Sequence, residues 1–197
     1  MKDNTRILDI ILSLTGLIFL SPLFLLLIVI IKLTSKGSAF YKQKRVGKNG
    51  VEFTIYKFRT MQTGQQGGGL LTVGKRDSRI TPVGYRLRKY KLDELPQLCN
   101  VLINDMSLVG PRPEVKKFTD LYNDEQKNVL QVKPGITDFA SVAFSNESEL
   151  LAAAANPEEF YIKEILPAKI ILSMKYIENK TIQNYFIIII NTLFKKM

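Results

Sequence analysis

Two adjacent carboxylates, Asp93 and Glu94, lie within Lys91-Leu92-Asp93-Glu94-Leu95-Pro96-Gln97-Leu98, where Leu95, Leu98 and Leu102 recur at helical spacing. That spacing predicts a short helix opening near Asp93, with Pro96 tolerated because it falls in the first turn. An acid at or near the N-cap meets free backbone N–H groups and the positive end of the helix dipole, both of which favour its ionised form. Such a carboxylate can act as a nucleophile or hold a metal ion. The plainer alternative is that Asp93 only caps the helix.

Composition narrows the chemistry further. The chain of 197 residues has no histidine, a single cysteine (Cys99) and a net charge of +10. It therefore cannot assemble a Ser-His or Cys-His pair or an imidazole metal site. One cysteine excludes a zinc ribbon and an intramolecular disulfide, in keeping with a reducing compartment. Catalysis is left to carboxylates, Lys, Arg, Tyr or a hard metal held by oxygen, for which Mg2+ is the natural choice.

Cations gather along the sequence on both sides of the carboxylates. Lys57 and Arg59 alternate with aromatic residues in Tyr56-Lys57-Phe58-Arg59-Thr60-Met61, Arg79 follows in Lys75-Arg76-Asp77-Ser78-Arg79-Ile80, and Arg86, Arg88, Lys89 and Lys91 lead into Asp93. Arg112 stands between Pro111 and Pro113, which fix the backbone and leave the guanidinium little freedom to lose on binding. Grouped near two carboxylates, such cations lower the carboxylate pKa values and form a site for a multiply charged anion. On an ordinary surface they would simply be solvated, and residues 111–113 would be a rigid connector. Nucleic acid is not the expected anion, because no recognition motif is present and a membrane segment accounts for the positive charge.

These groups must be positioned by the flanking elements. Ile7 to Ile31 is almost wholly apolar, interrupted by Asp9, Ser13, Thr15, Gly16 and Ser21-Pro22, and is long enough to span a bilayer. Its apolar run exceeds that of a cleaved signal peptide. A straight spanning helix would leave basic residues on both sides of the membrane. A helix that enters, breaks at Ser21-Pro22 and returns keeps Lys2, Arg6, Lys32, Lys36, Lys42, Lys44 and Arg45 on the cytosolic face. Pro22 removes one backbone donor, and the Ser21 hydroxyl can satisfy the freed carbonyl. Proline kinks also occur in helices that do cross, so a spanning helix stays open beside the preferred organisation, a re-entrant membrane helix over residues 1–36 and a cytosolic body over 37–197.

Within that body, Ala39–Arg45 and Val51–Phe58 flank Gly47-Lys48-Asn49-Gly50 and predict a β-hairpin whose apolar face carries Val51, Phe53 and Ile55. Gln62–Gly69 reads as a mobile loop, either a lid or filler. Thr81-Pro82 predicts the start of a helix reaching Leu92, with Val83, Leu87 and Tyr90 inward. A polar helix is expected over Val115–Leu130, a turn over Lys133–Ile136, a helix over Leu150–Ala155, and another starting at Pro157-Glu158-Glu159. Tyr161–Met197 interleaves apolar residues with lysines, the pattern of helices lying in a membrane interface. The fold class is α+β, mainly α, in a membrane-associated (monotopic) domain. No residue pattern speaks to oligomeric state.

Five motifs then carry a resemblance. Lys57-Phe58-Arg59-Thr60-Met61, Arg79-Ile80-Thr81-Pro82-Val83-Gly84, Leu92–Leu98, Asp105–Pro113 and Lys133-Pro134-Gly135-Ile136-Thr137 occur in the order seen in bacterial sugar transferases. The chain resembles the small monotopic phosphoglycosyl transferases, the PglC-like group. The resemblance implies a re-entrant helix broken at Ser21-Pro22, at the bacterial inner membrane with the catalytic part on the cytosolic face. It also implies transfer of a sugar 1-phosphate from a UDP-sugar to polyprenol phosphate, with Mg2+ and release of UMP.

Carried over by motif, Asp93 would be the nucleophile that forms a phosphosugar-aspartyl intermediate. Glu94 would hold Mg2+ with Asp93, position the dyad or manage a proton. Lys57, Arg59, Arg79, Arg88 and Arg112 would stabilise the phosphates. Three features depart from the pattern. Asp138-Phe139-Ala140-Ser141-Val142 stands where many relatives have Gly-Trp-Ala-Gln, with no matching Gly-Arg pair later, and this region bears on the sugar pocket. Lys91 replaces a small polar residue, and Glu158-Glu159 is a candidate further carboxylate. An N-acetylated or amino-deoxy hexose is the first expectation for the sugar, galactose or glucose the second. The alternatives are a membrane-anchored hydrolase of nucleotide sugars or polyprenyl diphosphates, and a non-catalytic scaffold.

Overall fold

A computed structural model of the chain describes residues 5–63, 70–74 and 77–194. From residue 64 onward, the loop expected over Gln62–Gly69 lies outside the described residues, as do Lys75 and Arg76.

The apolar segment forms one helix, α1 (Arg6–Thr34), long and apolar enough to cross a membrane. Pro22 lies inside it, and the Ser21 hydroxyl donates to the Ile18 carbonyl at 2.8 Å. That carbonyl is the one Pro22 deprives of its amide donor four residues on, so a substitute donor keeps the segment helical. The expected break at Ser21-Pro22 is thus not a loss of helical conformation. Both ends of α1 rest on the same body. Arg6 donates to the carbonyls of Val101 and Leu102 at 2.6 and 3.0 Å. Buried Asp9 accepts from the Ser107 hydroxyl (2.7 Å), the Leu108 amide (3.0 Å) and the Tyr185 hydroxyl (2.8 Å). At the other end Leu27 and Ile31 pack with Ala39, Phe58 and Leu87. Between the two ends Ile18, Phe19, Leu25 and Leu26 are exposed.

The hairpin forms as expected. Strands β1 (Phe40–Val46) and β2 (Glu52–Phe58) pair antiparallel, Phe40 opposite Phe58 and Val46 opposite Glu52. Asn49 and Gly50 take φ values of 57° and 75°, the left-handed region these residue types tolerate. Ile55 and Phe58 are buried, but Val51 falls in the turn and is exposed. Helix α2 (Pro82–Lys89) opens on Thr81, whose hydroxyl accepts from the Gly84 amide at 2.9 Å. Leu87 turns inward. Tyr90 does not, because the helix stops at Lys89 and the chain bends through a left-handed Lys91 (φ 51°). A tight 3-10 turn over Leu92–Glu94 follows, and then α3 (Gln97–Leu102) with Pro96 at its N-cap. Asp93 therefore lies in the turn ahead of the helix rather than at its cap.

Strand β3 (Ser107–Val109) leads toward Arg112. The polar helix expected over Val115–Leu130 is divided into α4 (Lys116–Thr119) and a 3-10 segment, Gln126–Gln131. Asn123 and Gln126 exchange side-chain-to-backbone bonds of 3.0 and 2.8 Å, a reciprocal cap that starts a new segment. The turn expected over Lys133–Ile136 instead feeds β4 (Gly135–Thr137), parallel to β3. A Cβ on Gly135 would collide with the backbone of Gly110, so glycine is what lets the two strands meet. The remainder is helical: α5 (Phe139–Ala143), α6 (Glu147–Ala153), α7 (Pro157–Phe160), a π-helical turn over Tyr161–Ile165, α8 (Leu166–Glu178) and α9 (Ile182–Phe194). The main core joins Phe118, Tyr122 and Val129 to Leu151, Tyr161, Ile165 and Leu166. Helix α9 buries Tyr185 and Ile188 against Val109 and Tyr176 and exposes Ile182, Ile190, Leu193 and Phe194. The architecture is α+β and mainly helical, as expected.

Candidate active site

Helix α3 is docked on β2 by one buried amide. Asn100 accepts from the Tyr56 backbone N–H at 3.0 Å and donates to the Thr54 carbonyl at 2.7 Å. This sets the preceding Leu92–Glu94 turn against Lys57, the next residue on the strand. Lys57 Nζ donates to Glu94 Oε1 at 2.9 Å. Arg112, delivered by β3 and the rigid Gly110-Pro111 step, donates from both terminal nitrogens to Glu94, to Oε2 at 3.2 Å and also to Oε1. The result is a forked pair of the kind that fixes a guanidinium in one plane.

The two neighbouring carboxylates are driven in opposite directions. Burial pushes Glu94 up, but Arg112 and Lys57 outweigh it and hold the group well below the ordinary carboxylate range. Asp93 is raised, first by burial and then by the charge on Glu94, with Lys57, Arg88 and Arg112 only partly offsetting these. Among the described residues, no hydrogen bond or ion pair reaches the Asp93 side chain, although it is only 7% exposed. The expectation that a helix terminus keeps Asp93 low is thereby corrected: the cap is Pro96, and burial beside a like charge dominates. Arg88 stands on the Asp93 side, with Nε donating to Thr60 Oγ1 at 3.0 Å and a terminal nitrogen to Thr72 Oγ1 at 3.1 Å. Burial lowers its pKa, and the charge on Asp93 is the largest influence opposing that.

Of the residues predicted from sequence, the structure brings together Asp93, Glu94, Lys57, Arg88 and Arg112. Arg59 lies elsewhere, whereas Arg79 and its partner Asp77 lie within electrostatic reach of Arg88. Arg59 donates to the carbonyls of Lys36 (2.6 Å) and Ser35 (2.8 Å) and to the Ser35 hydroxyl, which fastens the end of α1 to β2. Arg79 pairs with Asp77 at 2.6 Å and donates to the Leu71 carbonyl at 3.2 Å, holding its own loop. Glu158 pairs with Lys117 and Glu159 with Lys163, both on the surface, so neither supplies a carboxylate to the site.

A second buried group, missed from sequence, stands behind Arg112. Lys169 Nζ donates to Glu114 (3.1 Å), Glu147 (3.0 Å) and the Tyr161 hydroxyl (3.2 Å), and Tyr161 donates to Glu114 at 2.6 Å. Burial raises the Tyr161 hydroxyl, reinforced by Glu114, so it stays a donor. The signal for this group was a lysine inside an apolar helix, paired with a glutamate that closes the Pro-Arg-Pro-Glu run.

For Mg2+, no cluster of three or more metal-binding side chains exists among the described residues. An ion held by one or two carboxylates and by substrate phosphates needs no such cluster. Among the described residues, neither oxygen of Asp93 has a protein partner, and it fits that description. Glu94 has its oxygens committed to Lys57 and Arg112.

A family model described as bacterial sugar transferase matches residues 2–197. Similar proteins include the UDP-N-acetylgalactosamine-undecaprenyl-phosphate N-acetylgalactosaminephosphotransferase of Aeromonas hydrophila, 38% identical over 163 residues, covering 80% of this chain and 38% of that one. The exopolysaccharide production protein ExoY of Sinorhizobium fredii is 35% identical over 191 residues, 88% of this chain and 84% of its own. The UDP-glucose:undecaprenyl-phosphate glucose-1-phosphate transferase of Klebsiella pneumoniae is 36% identical over 176 residues, 87% of this chain and 38% of its own. The chain therefore spans well under half the length of the Aeromonas and Klebsiella relatives and most of ExoY.

Proposed function

The chain belongs to the bacterial sugar transferase family, in its PglC-like group, and from that premise we propose that it moves a sugar 1-phosphate from a UDP-sugar to polyprenol phosphate. The observation that carries this reading is a buried Asp93 carboxylate, unpartnered among the described residues and flanked by Lys57, Arg88 and Arg112, in a chain without histidine. Arg112, Lys57 and Arg88 bind the diphosphate. An oxygen of Asp93 attacks the sugar-bearing phosphorus, and the bond to the UMP oxygen breaks, with UMP leaving as the anion. An oxygen of polyprenol phosphate then attacks the same phosphorus, releases the Asp93 carboxylate and yields the polyprenyl diphosphate sugar. A carboxylate with no donors attached keeps its lone pairs available for attack, which suits Asp93 to this step. Glu94 acts by holding Lys57 and Arg112 in place. Mg2+, held by Asp93 with the diphosphate, would neutralise phosphate charge.

The membrane arrangement is part of the same proposal. Residues 1–36 enter the cytosolic leaflet of the bacterial inner membrane and return, and residues 37–197 remain on the cytosolic side. Support comes from the two ends of α1 resting on one body and from the exposed apolar side of α9. For the sugar, the Aeromonas relative's name favours an N-acetylated hexose and the Klebsiella relative's name glucose.

The test is UMP release from a panel of UDP-sugars. Full turnover is expected to require polyprenol phosphate, to stop on chelation and to be lost in Asp93→Asn. Normal turnover by that variant would refute the mechanism. UMP or phosphate release without a lipid acceptor would identify a hydrolase.

A further inference from the structure

Besides Asp93, the carboxylates of Glu94, Glu114 and Glu147 act on Arg112 and Asp138 lines a cavity with it; of these four, three have both oxygens engaged. Glu94 is held by Lys57 and Arg112. Glu114 takes Tyr161 and Lys169 on one oxygen and lies 3.6 Å from Arg45 on the other. Asp138 accepts from the Ser141 amide and the Ser173 hydroxyl. Glu147 differs. Only its Oε2 is engaged, by Lys169, while Oε1 has no protein partner among the described residues and the side chain is 30% exposed.

This free oxygen is also well fixed. Lys169 is 8% exposed and bridges Glu147 to Glu114, two residues beyond Arg112. Glu147 opens α6, and that helix takes a bond from the Gly74 amide to the Ser148 carbonyl at 2.7 Å. Thr72, in the same segment as Gly74, holds Arg88. Glu147 thus lies within electrostatic reach of Arg112, on a helix tied through Gly74 to the segment that holds Arg88. A phosphate would be repelled by its charge. An uncharged sugar carried on a diphosphate between those two cations presents hydroxyl and acetamido N–H donors, and a carboxylate with one open oxygen is the matching acceptor.

We infer that Glu147 is a specificity-determining residue, accepting a hydrogen bond from a hydroxyl or acetamido N–H of the transferred sugar. The inference rests on the function proposed above and names the residue that selects its substrate. Removing one recognition partner in a site built to bond a polar group erodes discrimination against analogues that lack it.

The full-length chain, reconstituted with polyprenol phosphate, is assayed for UMP release with UDP-N-acetylglucosamine, UDP-N-acetylgalactosamine, UDP-glucose and UDP-galactose. In Glu147→Ala the ratio of kcat/KM between the best and second-best sugar is expected to fall at least threefold. Glu147→Gln, which can still accept from Lys169, guards against a folding defect and is expected to lower the same ratio. An unchanged ratio in the glutamine variant, an equal loss on all four sugars, or a wild-type preference under threefold overturns the inference. Absence of UMP with every sugar in the wild type instead refutes the reading on which it rests.

Discussion

Asp93 and Glu94 share one backbone turn, yet they make opposite contributions to folding. Asp93 has a folded pKa above its ordinary 3.8, so the folded state holds that proton more tightly than the unfolded chain does. Its ionisation at neutral pH therefore costs stability, and Asp93→Asn is expected to raise Tm while abolishing turnover. A variant with unchanged or lower Tm would contradict this. By the same sign, wild-type turnover should fall as pH drops through a value above 3.8. Glu94 runs the other way. Its folded pKa lies well below 4.5, so its pairing stabilises the fold above the unfolded value and is lost only as pH falls through the folded one. Glu94→Gln strands Lys57 and Arg112 without their counter-charge and should cost about 3 kcal/mol at pH 7. In denaturant titrations that deficit should shrink in strong acid, where wild-type Glu94 is also protonated. Sequence supplied the charge types here but not their partners. Lys57 and Arg59 sit two apart in one motif, yet the strand ends between them, and Arg59 turns to carbonyl oxygens at the end of α1 instead.

Elements announced by a local device were legible. Asn-Gly marked the hairpin and Thr-Pro the start of α2, because each satisfies its own backbone requirement within a few residues. Strand β4 was not legible, since three residues carry no periodicity and Lys-Pro-Gly reads as a turn. Its existence depends on a distant neighbour: Gly135 faces the backbone of Gly110 with no room for a Cβ. Gly135→Ala must push β4 away from β3, and Arg112 follows two residues after Gly110. The expected outcome is a loss of about 3 kcal/mol by thermal or denaturant unfolding, together with a lower kcat/KM for UDP-sugar. Wild-type stability and turnover in this variant would show that the strand contact does not set the arginine. Asn100 is a comparable case, because nothing in the sequence marks it as the amide that seats α3 on β2.

At the scale of the molecule, the apolar stretch was plain from composition, but its mode of attachment was not. Asp9 reads in sequence as an interruption. In the fold it is a buried acceptor of three hydrogen bonds, which is what makes an ionisable group tolerable within an apolar helix. On the re-entrant reading, a tag at residue 1 should stay inaccessible to a periplasmic label in intact cells, as should a tag at residue 197. Labelling of the first alone would support a spanning helix. Asp9 grips Ser107 and Leu108 where the strand that ends toward Arg112 begins. Whatever tips the opening turns of α1 must therefore tug on the guanidinium as well. If α1 is seated in a bilayer as proposed, lipid of mismatched thickness would act like a remote inhibitor, slowing chemistry without entering the pocket.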